Sequence, residues 1–171
     1  MWYTIWVQTG QEEKVKELCI KTFENDVYDE IFIPKYEQKR RYKGSWHLEK
    51  KALFPGYIFV VTNNAERLHN SLKNVLKFTK VLGDKDEFIP LTRDETNFLE
   101  NFSGRDRIVK MSEGYIVGDN VVITKGPMMD FAGKIKRINR HKRTATIEIS
   151  LLGKATEVNV GLEILYRAIS A

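Results

Sequence analysis

The sequence predicts an α+β N-terminal domain, with an antiparallel or mixed sheet flanked by helices, followed by an all-β C-terminal small barrel. Three observations carry this. Strand and helix patterns are interspersed as far as Gly104, a polar stretch rich in alternating charge follows, and from Val117 onward only short strands and turns recur. At 171 residues the chain is long for one minimal domain and sufficient for two small ones. The expected boundaries are a first domain over 1–104, a linker over 105–116 and a second domain over 117–171.

In the first domain, Trp2–Gln8 alternates aromatic and β-branched residues with polar ones, which predicts a strand with a buried face. Thr9 and Glu12 stand at capping-box spacing. Val15, Leu18, Cys19, Thr22 and Phe23 then recur at helical intervals, with Glu13, Lys14, Lys16 and Glu17 left to water. Cys19 falls on the apolar face, as a buried structural thiol. After Glu30–Ile33 and Pro34, the charged stretch from Glu37 to Lys51 turns at Lys43-Gly44 and interleaves Tyr42, Trp46 and Leu48, which predicts a protruding hairpin or loop. Its cations and aromatics suit nucleic acid, but Glu37 and Glu49 dilute that signal and a solvated loop fits equally. Phe54-Pro55-Gly56 breaks into Tyr57–Thr62, a buried strand. Asn64 caps a helix carrying Leu68, Leu72 and Val75. A further helix starts at Thr92, with Glu95 completing a capping box and Phe98, Leu99 and Phe102 along one face.

The stretch 103–112 mixes Gly, Ser and charge, with Ile108, Val109 and Met111 as its apolar residues, and reads as a linker. Beyond it come Val121–Thr124, Gly126-Pro127, Gly133–Asn139, Thr144–Leu151, Gly153 and Thr156–Val160. Four or five short strands in so few residues leave exposed edges unless they curl into a small barrel.

Charge separates the two parts. The net charge is +5, yet residues 1–104 hold 16 Lys/Arg against 16 Asp/Glu, whereas 117–171 hold 9 against 5. A basic excess confined to the small domain points to a polyanion there. The lone cysteine can form no intrachain disulfide, so the expected compartment is the cytoplasm. No apolar run reaches membrane-spanning length and no basic, apolar leader follows Met1, so neither export nor a membrane is expected.

Trp2-Tyr3, Phe54-Pro55-Gly56-Tyr57 and Pro90-Leu91 resemble the NGN domain of the NusG family. Gly118-Asp119, the alternating Val121 and Ile123, Gly126-Pro127, Gly133 and Gly153-Lys154-Ala155-Thr156 resemble its KOW domain. Each motif is short, but their order and spacing agree across nearly the whole chain. The resemblance implies a monomeric transcription elongation factor whose NGN domain sits on the clamp helices of RNA polymerase and suppresses pausing or termination. Non-template DNA is left open as a further contact. Carried over by motif, Trp2, Phe54 and Tyr57 become polymerase contacts, set against ordinary core packing for each. Phe54 is the strongest of the three, because an apolar residue before Pro-Gly at a strand entrance is often partly exposed. Gly56 reads as a backbone requirement.

Two departures from common NusG sequences stand out. Met128-Met129-Asp130 replaces a small, Gly-containing tip, and the next turn is the cationic Asn139-Arg140-His141-Lys142-Arg143. With Lys134, Lys136, Arg137 and Lys154, the residues Arg140, His141, Lys142 and Arg143 form a candidate RNA surface, in which cations meet phosphates and Arg reads base edges. Strand alternation would place Lys134 and Lys136 on one face and Arg137 on the other. A merely solubilising turn is the bland alternative. Within the family the chain looks most like the LoaP subgroup of antitermination factors, which read a leader RNA hairpin through the KOW domain.

His47, His69 and His141 have no partners at metal-ligand spacing, and no phosphate loop or nucleophile motif occurs. No enzymatic activity, metal or cofactor is expected. Two alternatives remain: a general NusG whose barrel binds proteins such as Rho or a ribosomal protein, and a ribosome-associated RNA-binding module.

Overall fold

The computed structural model describes residues 1–78 and 90–169, with side chains at all of these but 76–78. In chain order the elements are β1 (Trp2–Trp6), α1 (Glu12–Thr22), β2 (Glu30–Phe32), β3 (Lys35–Tyr42), β4 (Ser45–Ala52), β5 (Tyr57–Val61), α2 (Ala65–Phe78) and α3 (Arg93–Ser103). Then follow β6 (Ile108–Val109), β7 (Ser112–Val117), β8 (Asn120–Lys125), β9 (Ile135–Asn139), β10 (Thr144–Leu151) and β11 (Lys154–Ala168). Two compact units emerge: Met1–Pro34 with Phe54–Asn97, and Lys35–Leu53 with Phe98–Ala171.

In the first unit, β1, β5 and β2 form an antiparallel sheet in the order β1-β5-β2, with Trp2 opposite Val61 and Trp6 opposite Tyr57. Ile58, Phe59 and Val60 are fully buried, as expected of a strand covered on both faces. From α1, Val15, Cys19 and the following Phe23 enter the core. The capping box expected between Thr9 and Glu12 is not formed. Gln11 occupies the cap position without a side-chain bond. Glu12 is buried instead, and its carboxylate accepts the N–H of Gly10 at 2.9 Å and that of Gly56 at 2.7 Å. Both glycines sit at positive φ, where sharp turns leave an amide to satisfy, and two charge-assisted bonds outweigh a cap on an exposed threonine. The other caps form as expected. Asn64 Oδ1 accepts the N–H of Arg67 at 3.0 Å, and Thr92 and Glu95 exchange bonds of 2.9 and 3.2 Å.

In the second unit, β3 and β4 pair as a hairpin around Lys43 and Gly44, both at positive φ as a tight primed turn requires. The stretch 105–116 is not an unstructured linker. Its Ile108–Val109 pairs in parallel with Lys35 and Tyr36 of β3, its Met111 N–H donates to Glu37 at 3.0 Å, and β7 begins at Ser112. Val109 is fully buried there. Asp106, hydrogen-bonded by Lys110 at 2.5 Å, has its carboxyl held below its ordinary range. The all-β part is a five-stranded sheet in the order β8-β7-β11-β10-β9, its core built from alternate residues Ala145, Ile147, Ile149 and Leu151 of β10. β11 pairs antiparallel with β10 along its first half and parallel with β7 along its second. Two 3-10 turns, Pro127–Asp130 and Ala132–Lys134, connect the end strands β8 and β9. Met128 of the first turn is fully buried, with its N–H donated to Ser112 Oγ at 3.0 Å.

Candidate nucleic-acid interface

The turn between β9 and β10 is shaped by its own ends. Asn139 Oδ1 accepts the N–H of Lys142 at 2.9 Å, and Arg143 adopts a φ of 55°, the left-handed conformation that closes the turn. Arg140, His141 and Lys142 are thereby thrust into solvent, and among the described residues their side chains have no ion-pair partner. Arg143 behaves differently. Its guanidinium carbon lies 3.5 Å from the centre of the Trp46 ring, and its Nη1 lies 3.2 Å from Glu163. Glu163 also receives Lys39 of β3. One carboxylate thus holds a cation from the hairpin and another from the barrel turn.

The remaining sequence-predicted cations do not form one patch. Lys136 meets Glu148 at 3.4 Å, and Arg137 meets Glu157 at 2.8 Å. The Arg137 guanidinium hydrogen-bonds the Glu157 carboxyl and holds it below its ordinary range. The alternation expected for this strand fails, because the ladder slips a residue between Thr146 and Ile147. Arg137 stands opposite Thr146 and Ile135 opposite Ile147, so both Lys136 and Arg137 face solvent. Lys134 lies in a 3-10 turn, its ammonium 5.0 Å from the Phe98 ring and 5.5 Å from that of Phe131. Lys154 follows the opposite end of β10, roughly 24 Å from the cationic turn at about 3.4 Å per residue.

What sequence reading did not place is the company the turn keeps. The hairpin β3–β4 faces it across a groove of about 780 Å³. Arg40, Arg41, Trp46 and Lys51 line the hairpin side, and His141 and Lys142 line the turn side. Gln38 Nε2 spans the two, donating to the Lys142 carbonyl at 3.1 Å. At the hairpin tip, Tyr42 stacks on His47 with centroids 3.7 Å apart. The only signal in the sequence was the interleaving of cations and aromatics over 37–51.

The three residues expected at a polymerase contact are placed unequally. Trp2 is 5% exposed, packed edge-on against Phe32 and Phe59. Phe54, expected to be partly exposed, is 3% exposed and stacks on Phe59 at 5.5 Å. Both are core residues of the first unit, their rings packed on Phe59 of β5. Tyr57 is half-buried, T-shaped against Trp6 at 5.5 Å, with burial pushing its phenol up and the Trp6 hydrogen bond opposing. Among the described residues, no cluster of His, Cys, Asp and Glu could hold a metal, and no helix is long and apolar enough to cross a membrane.

A cluster of exposed cations of this kind can bind a polyanion. Residues 1–100 match the family model described as transcription termination factor nusG, and 117–149 match the KOW motif. The transcription termination/antitermination protein NusG of Rickettsia felis is 28% identical over 164 residues, covering 93% of this chain and 85% of that protein. That of Thermus thermophilus is 28% identical over 180 residues, covering 98% of each. A solved structure reported as "Domain interaction in Thermotoga maritima NusG" is 28% identical with a TM-score of 0.52, covering 94% of this chain and 92% of that one. The chain therefore belongs to the NusG family of transcription termination/antitermination factors, with an α+β NGN domain and a β-rich KOW region.

Proposed function

We propose that this protein is a processive antitermination factor of the LoaP kind. Its NGN domain engages the clamp helices of RNA polymerase, and its KOW region holds a leader RNA hairpin. It acts as a monomer in the cytoplasm, with non-template DNA as a further contact of the NGN domain. The observation that carries the RNA reading is the exposed trio Arg140, His141 and Lys142, held on a turn by Asn139 and with no side-chain ion pair among the described residues. Such a turn presents charge to phosphates without first breaking ion pairs. Tyr57 with Trp6 is the surface offered to polymerase, since Trp2 and Phe54 are buried.

A second reading has its own support. Lys136, Arg137 and Arg143 are neutralised by Glu148, Glu157 and Glu163, and Tyr115 stacks on the exposed Tyr166 at 4.9 Å. A patch of paired charges and an exposed aromatic on the barrel suit a protein partner such as Rho or a ribosomal protein. The test is binding of the full chain to structured leader RNAs at two salt concentrations. Two cations, Arg140 and Lys142, engaging phosphates give a log–log salt slope of roughly −1.4 to −1.8. Affinity equal to that for arbitrary RNA favours the protein-binding barrel.

A further inference from the structure

We infer that the groove between the β3–β4 hairpin and the β9–β10 turn holds an unpaired RNA strand, so that the RNA site is shared by hairpin and barrel. The inference rests on the RNA reading above and specifies where the bound strand runs. Its first support is charge. The groove lining includes no Asp or Glu among the described residues, whereas Lys136, Arg137 and Arg143 outside it each meet a carboxylate. Lys39 is held by Glu163 and Arg40 lies 3.8 Å from Glu49, which leaves Arg41 and Lys51 from the hairpin, and Lys142 from the turn, without a carboxylate partner among the described residues. A single-signed groove between low-dielectric walls concentrates an anionic ligand.

The second support is the mixture of side chains. Trp46 is 46% exposed although Arg143 covers part of its ring, so aromatic surface remains for a base. Asn159 adds an exposed amide to the lining, while Tyr36 and Gln38 are buried at its floor. Cations for the backbone, the Trp46 ring for stacking and the Asn159 amide for base edges suit single-stranded RNA, whose bases are accessible as those of a duplex are not. The third support is preorganisation. Gln38 bonds the Lys142 carbonyl, Arg143 stacks on Trp46, and Glu163 ties Lys39 to Arg143. At Gly161 of β11 a side chain would fall 2.2 Å from the Glu37 carbonyl oxygen, a measure of how closely the hairpin backbone approaches the barrel.

The test uses the full chain and two probes, a leader hairpin carrying an unpaired loop and a short oligouridine. The Arg41→Ala, Lys51→Ala double variant is expected to weaken oligouridine binding about tenfold and to flatten the salt slope by about 1.4, at roughly 0.7 per phosphate on a single strand. Ultraviolet crosslinking of the wild type is expected to label the peptide containing Trp46. Both substituted side chains are exposed, and a thermal melt matching the wild type confirms that the variant folds. If the double variant binds both probes as the wild type does, while Arg140→Ala loses the hairpin, the shared site is overturned and the RNA reading stands on the turn alone. If the wild type binds neither probe, both readings fall.

Discussion

Arg143 caps the face of Trp46 at 3.5 Å and simultaneously pairs with Glu163 at 3.2 Å, joining the barrel turn to the charged hairpin. Such a contact is worth about 0.5–1 kcal/mol at a partly exposed site. A double-mutant cycle with Trp46→Ala and Arg143→Ala should return a coupling energy of that size in chemical denaturation. A coupling near zero would mean that the ring and guanidinium are neighbours without mutual stabilisation.

Gly161 offers a steric test of the same junction. A Cβ there would lie 2.1 Å from Met111 Sδ and 2.2 Å from the Glu37 carbonyl oxygen, and backbone cannot give way as a side chain can. Gly161→Ala should cost about 1–3 kcal/mol, as overpacking does. Limited proteolysis should then cut the 35–53 hairpin sooner than in the wild type.

Buried Glu12 serves two amides, those of Gly10 and Gly56. Losing two hydrogen bonds to a charged group should cost about 3 kcal/mol in Glu12→Ala, with Glu12→Gln intermediate, both read from denaturant midpoints. A loss within about 0.5 kcal/mol would show that solvent replaces the carboxylate.

Burial pushes the Cys19 thiol up to about 12 from an ordinary 9.0. Its contribution to stability is therefore fully present below pH 9 and is lost as pH rises towards 12, because the unfolded thiol ionises first. Iodoacetamide at pH 8 should leave the native chain unmodified and alkylate it in denaturant. The fall in melting temperature above pH 9 should be shallower in Cys19→Ala than in the wild type.

Where structure is local, the sequence was legible. Asn64 and the Thr92–Glu95 box cap their helices through bonds spanning three residues. The identical Thr9–Glu12 pattern failed because Gly56, 44 residues away, competes for the carboxylate. Ile108–Val109 is too short to show a period, so a strand passed for linker. The bulge that turns Lys136 and Arg137 both outward leaves no mark in residue types. The groove is the extreme case. Its two walls are 104 residues apart at the Gln38–Lys142 bond, and neither wall alone distinguishes a binding surface from a solvated one.

Recruitment of this factor by an RNA element to suppress termination can be measured by single-round transcription through an intrinsic terminator. The template carries or lacks the candidate leader hairpin upstream, and the full chain is compared with its Arg140→Ala, Lys142→Ala variant. Read-through is expected to rise only when hairpin and wild-type protein are both present, and to be abolished in the variant. Read-through that is equal with and without the hairpin, or unchanged in the variant, would contradict such recruitment.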